Sequence, residues 1–227
     1  MTGPVLELTG VTKAYGALRP LRIEHLALDP GDQVALLGLD QPAAEVLVNL
    51  VTGTTLPDTG HVRVFGRVTA DITDSNDWLT LLDRFGIVSE RSALLESMSV
   101  VQNMAVPFSL EIEPPPEDVT RQVSVLAAEA GLGPDALHRR VADLDAVERM
   151  RVRLGRALAF GPGLLLLEHP SATLSRKDVI PLACDIRALT GRRALATLTV
   201  TADGEFAGAV SERALALEPA TGRLRRL

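Results

Sequence analysis

Cysteine occurs once in 227 residues, at Cys184, so no disulfide can close within the chain and the composition suits a reducing compartment such as the cytoplasm. Cys184 lies among apolar residues at helical spacing and reads as a core thiol. Aromatic residues make up 3% and the net charge is −6, which argues against a broad nucleic-acid surface. No apolar run is longer than the four leucines at 164–167, far too short to span a bilayer. The first ten residues lack the basic-then-apolar layout of a secretory leader. Lysine is nearly missing too: of 23 basic residues only Lys13 and Lys177 are lysine. What remains, 46% hydrophobic and 23% charged, is an ordinary globular composition, with length for one large domain or two small ones.

Short apolar runs separated by turns predict strands at 5–9, 22–28 and 33–37, with Asp29-Pro30-Gly31-Asp32 turning between the last two. After Gly38 the period becomes helical, through Val46, Leu47, Leu50 and Val51, until Gly53. A strand follows at 61–65, a short helix at 78–83 and a buried strand at 86–88. From 99 to about 143 the pattern is helical, broken at Pro114-Pro115-Pro116 and restarted at Glu117. A strong helix at 146–160 precedes the strand 164–167. A helix at 176–189 and strands at 194–200, 213–217 and 223–226 complete the chain. Strands alternating with helices predict an α/β fold, with the helical middle as an inserted subdomain.

A buried strand ending in Gly38, then a loop, then a helix is the arrangement in which backbone N–H groups and a helix N-terminus face a phosphate. The segments Leu36-Leu37-Gly38, Thr59-Gly60-His61-Val62-Arg63-Val64-Phe65-Gly66, Ser97-Met98-Ser99-Val100-Val101-Gln102-Asn103, Arg151-Val152-Arg153-Leu154-Gly155-Arg156-Ala157-Leu158 and Leu164–Leu167 before Pro170 occur in a telling order. In that order and spacing, over essentially the whole chain, they resemble the nucleotide-binding domain of the ATP-binding cassette (ABC) transporter family. The resemblance implies a P-loop NTPase-like α/β fold with an N-terminal antiparallel β subdomain and an inserted helical subdomain. One domain would fill 1–227, with a RecA-like core over about 1–90 and 160–227 and the helices over about 91–159.

The family's chemical residues are replaced. By the resemblance, the phosphate loop reads Gly38-Leu39-Asp40-Gln41-Pro42-Ala43-Ala44-Glu45: Ala44 stands for the phosphate lysine and Glu45 for the magnesium hydroxyl. Pro42 removes a donor, and Asp40 and Glu45 add negative charge. Neither lysine lies there, so a compensating cation would have to be Lys13 or an arginine from elsewhere. Glu90 stands at the Q-loop glutamine, and Asp145, Ala146, Val147 and Glu148 stand in the signature. Glu168 replaces the metal-organising aspartate, His169 the catalytic glutamate, Ser175 the D-loop aspartate and Ala202 the switch histidine. Tyr15 alone keeps its type, at the position that stacks adenine.

The replacements have a physical logic. Asp145 and Glu148 have capping-box spacing, which satisfies helix donors within the chain. Asp40 or Gln41 can cap the first helix, where Pro42 suits the first turn and Glu45 complements the dipole. His25, His61 and His138 lack ligand spacing, and Glu168 alone makes a weak magnesium site, so no metal site is expected. Leu94, Met98, Met104 and Phe108 lie where the family forms the groove that receives a permease, with Met98 and Met104 expected at its surface.

These residues imply a pseudo-ATPase with a structural or regulatory role, no intact catalytic group and no cofactor. The rival expectation is a genuine ATP-hydrolysing subunit with a rewired site, binding ATP and magnesium. Expected partners are a permease, an intact ATPase subunit or both, with no nucleic acid, and peripheral attachment at the cytoplasmic face of a membrane.

Overall fold

The computed structural model describes residues 3–227; Met1 and Thr2, part of the stretch read for a leader, lie outside the described residues. Its small sheet is antiparallel, in the order β2 (Leu21–Leu28), β1 (Leu6–Lys13), β4 (Thr59–Val64), β5 (Arg67–Val68). The large sheet runs β10 (Arg223–Arg226), β9 (Arg213–Glu218), β3 (Gln33–Leu37), β8 (Ala196–Val200), β7 (Leu164–Glu168), β6 (Phe85–Val88). Its strands are parallel except β10.

The four leucines of β7 show why a central strand loses its polar–apolar alternation. Leu164 and Leu166 face a core shared with the small sheet and α1 (Gln41–Val51), while Leu165 and Leu167 face the helices behind. Those helices are α3 (Val100–Ala105), α4 (Glu117–Glu129), α5 (Ala146–Ala157), α6 (Arg176–Arg192) and α7 (Gly204–Val210). Helix α2 (Ser75–Leu82), capped by Asp74, leads into β6. Where α5 meets α3, a Cβ on Gly155 would come within 2.4 Å of Met104 Cε, so the glycine permits the close approach. Among the described residues no helix is long and apolar enough to cross a membrane.

Several elements depart from the sequence reading. The helical region at 99–143 is two helices joined by loops and single 3₁₀ turns, because Pro107 and the proline run interrupt it. Helix α5 ends at Ala157, three residues early, and α6 runs to Arg192. Helix α7 was not expected; Asp203 caps it by accepting from the N–H groups of Glu205 and Phe206, and Phe206, Ala207 and Val210 fix its buried face. Strand β5 is too short to leave a period. Cys184 is exposed on α6, not in the core, because its neighbours Leu182 and Ala183 take the buried face.

Candidate functional site

Parallel strands bring their carboxyl ends to one edge, the usual position of ligand sites in open α/β sheets. At this edge lie the loop from Gly38 after β3, Glu168 and His169 at the end of β7, Thr201 and Ala202 after β8, and Ser89 to Arg91 after β6. Gly38 has φ +94°, and a Cβ there would meet the Leu217 carbonyl oxygen at 2.8 Å, so the turn needs glycine twice over.

The α1 N-terminus is capped from within. Asp40 Oδ1 accepts from the Ala43 N–H at 2.9 Å, Pro42 offers no N–H, and the Ala44 N–H already bonds the Asp40 carbonyl. Ala44 is fully buried among Leu47 and its neighbours. Gln41, an alternative cap by sequence, instead donates its side-chain amide to Glu168 Oε1.

A residue that the sequence reading passed over completes the site. The Arg91 guanidinium donates to Glu168 Oε2 at 2.7 Å and pairs with Glu45 Oε1 at 3.0 Å. Glu168 has a side chain 0% exposed, so this pair and the Gln41 amide compensate an otherwise isolated buried charge. Lys13 goes elsewhere, to Asp58 at 3.0 Å. The signal for Arg91 was slight: an arginine beside the Glu90 position in a chain with almost no lysine.

The other expected residues are placed as follows. Glu90 accepts from Thr173 Oγ1 at 3.2 Å and lies 3.8 Å from Arg153. His169 is 8% exposed, has φ +45° and donates its backbone N–H to Val200 O at 2.8 Å, while its buried Nε2 has no partner. Ala202 is exposed in a cleft of about 670 Å³ with His169, Ser171, Arg176, Thr201 and Asp203. Tyr15 borders a pocket of about 190 Å³ with Arg19, Gly38 and Asp40. Partial burial and then the Asp40 charge push its phenol up from the ordinary value. Among the described residues no cluster of three His, Cys, Asp or Glu is arranged to hold a metal.

At the start of α5 the capping box forms in both directions. Asp145 Oδ1 accepts from the Glu148 N–H at 2.8 Å, and Glu148 Oε2 accepts from the Asp145 N–H at 3.0 Å. Ala146 and Val147 lie half-buried between them. Arg139 pairs with Glu148 at 2.6 Å, so this acid is compensated within the chain, while Glu45 shares Arg91 with Glu168.

The expected partner groove is corrected by burial. Met104 is 1% exposed and Leu94 9%, so both belong to the core behind the sheet, where Met104 fills the space over Gly155. Met98 and Phe108 are half-buried. An open groove of about 260 Å³ lies alongside, lined by Phe85, Ile87, Pro107, Arg153, Arg156 and Phe160. Burial, and next the charge of Arg153, hold Arg156 below its ordinary value.

This arrangement of loop, buried carboxylate and capped α5 can be set beside known proteins. The family model described as ABC transporter matches residues 22–172. The chain belongs to the ABC transporter family. A relative in this family, the lipoprotein-releasing system ATP-binding protein LolD of Alcanivorax borkumensis, is 28% identical over 99% of this chain and 98% of its own length. The sulfate/thiosulfate import ATP-binding protein CysA of Methylococcus capsulatus is 30% identical over 93% of this chain, which spans 60% of that relative. Among solved structures, the dimeric ABC transporter cassette MJ0796 matches with a TM-score of 0.77 at 20% identity, over 98% of both chains. The cbiO1 protein of Clostridium perfringens gives 0.81 at 17% identity, over 98% of this chain and 87% of its own. At these identities the structural likeness establishes the ABC ATPase fold.

Proposed function

We propose that the chain is a catalytically silent nucleotide-binding-domain subunit of an ABC transporter, with a structural or regulatory role. The observation that carries this reading is Arg91, which bridges Glu45 and Glu168 where the family's phosphate loop and metal carboxylate meet. Magnesium triphosphate needs free amide donors, a cation for the phosphates and a carboxylate or hydroxyl open to the metal. The residues present do not fit it. In the first turn of α1 the Ala43 N–H is capped by Asp40 and Pro42 has none, Ala44 stands where the lysine would and Lys13 is paired with Asp58, and both carboxylates share the Arg91 guanidinium.

The relatives support a place in a transporter. Two are named as ATP-binding proteins of lipoprotein release and of sulfate or thiosulfate import, and cbiO1 is described as part of the ABC transporter complex cbiONQ. By analogy this chain works beside a membrane permease, an intact ATPase subunit or both, at the cytoplasmic face. The groove by Phe85 and Phe160 is then the face offered to the permease. The second reading, a chain that still binds nucleotide, is favoured by one observation, the open pocket beside Tyr15 and Gly38. It would hold a nucleoside without organising its phosphates.

Phosphate release by the purified chain with Mg-ATP tests the reading. The rate should equal the protein-free blank. Turnover above the blank that Glu168→Gln abolishes would overturn it.

A further inference from the structure

The loop that carries Arg91 is fixed at both ends. At the sheet end, the Arg91 N–H donates to Ser89 Oγ at 3.2 Å and its guanidinium bridges α1 and β7. At the helical end, Arg156 donates to Ala93 O at 2.8 Å and Arg149 pairs with Glu96 at 2.8 Å. The buried Asn103 side chain takes both the N–H and the carbonyl of Leu95, at 2.7 and 3.0 Å. The second half of the loop is thus part of the helical layer, and Arg91 ties the first half to the sheet edge. Among the described residues no other cation pairs with Glu168.

We propose that Arg91 is the site's own cation, an internal latch that holds loop 89–99 closed across the sheet edge in the absence of any ligand. This rests on the silent-site reading and says what the site does in place of chemistry. A guanidinium between two carboxylates supplies one positive charge where a bound divalent metal would bring two, and its fork reaches both at once. The contact between this edge and the helical layer therefore has a single setting, independent of nucleotide. The chain then acts on its partner as a fixed spacer and not as a moving part.

Hydrogen exchange of loop 89–99 in the full chain tests this, with Arg91→Ala, Glu168→Gln and the double variant, each with and without millimolar manganese. Loss of the contact between Arg91 and the buried Glu168 should raise exchange in the loop at least about tenfold in either single variant. Glu168→Gln is the variant that keeps the test valid if Arg91→Ala fails to fold, because it leaves no uncompensated buried charge. In Arg91→Ala, manganese should bind between the freed carboxylates, by its electron paramagnetic resonance signal, and restore part of the protection. The wild type and the double variant should ignore manganese, a distinction that a merely packed arginine would not produce. Wild-type exchange in a folded Arg91→Ala and in Glu168→Gln would overturn the latch alone. New protection of the wild-type loop on adding Mg-ATP would overturn the silent-site reading, and the ligand independence with it.

Discussion

Asp145→Ala removes one of the two reciprocal bonds at the start of α5, the 2.8 Å contact from the Glu148 N–H. Caps of this kind contribute about 0.5–2 kcal/mol, typically ~1. The return bond, Glu148 Oε2 to the Asp145 N–H, survives because its donor is backbone, and Arg139 still holds the other carboxylate oxygen. That ion pair is partly exposed and adds at most ~1 kcal/mol. The expected loss is therefore that of a single cap. In a domain of this size it lowers the thermal midpoint by about 2–4 °C per kcal/mol. Calorimetry of the wild type, Asp145→Ala and Asp145→Asn measures it, with Asn retaining most of the stability because its carbonyl oxygen still accepts. Glu148→Ala should cost a comparable amount. The double variant should cost about the sum, since each bond starts from a backbone N–H that the other substitution leaves in place. An unchanged midpoint in Asp145→Ala would refute the reciprocal cap and the argument that these donors are no longer offered to an anion.

Met104→Glu should destabilise by about 3 kcal/mol or more in urea, since it buries an unpaired carboxylate, while Met98→Glu at its half-exposed site stays within ~1 kcal/mol; equal effects would contradict the corrected groove. The Ala14 backbone N–H and then Lys13 hold Asp58 below its ordinary value, so its contribution is full above pH 3.8 and is lost as pH falls through the depressed value. Stability curves of the wild type and Asp58→Asn should accordingly converge towards acid, and a gap that widens there would refute the pairing. Ala44→Lys with Glu45→Ser should not restore ATP turnover, because His169 and the capped α5 remain and groups that act as a unit are non-additive; measurable phosphate release by that double variant would show those departures to be tolerated.

Periodicity located β3 to the residue, along with the start of α4 and the core of β7, because each is a strong apolar pattern bounded by turn residues. Helix α7 escaped because its seven residues make fewer than two turns, too few for a repeated apolar spacing, and its main signal is one capping aspartate. Burial of Met104 and exposure of Cys184 depend on which neighbouring helix covers a face, which no single-chain spacing reports. The capping box at Asp145 and Glu148 was legible because it is local. The bridge from Arg91 was not, since it joins residues 77 positions apart, and neither end announces its partner. The charge reading changes with it. The negative charge that the phosphate loop and the signature segment gain is partly offset within the chain, Glu148 by Arg139 and Glu45 by the Arg91 it shares with Glu168. The remaining acids, Asp40 and Asp145, are engaged as helix caps.

On the proposed reading, Arg91 and the capped α1 leave no place for magnesium triphosphate. Isothermal titration of the full chain with millimolar Mg-ATP tests it most directly. Only heats of dilution are expected, with bare adenosine free to bind weakly beside Tyr15. A saturable, magnesium-dependent heat at one site per chain would contradict it.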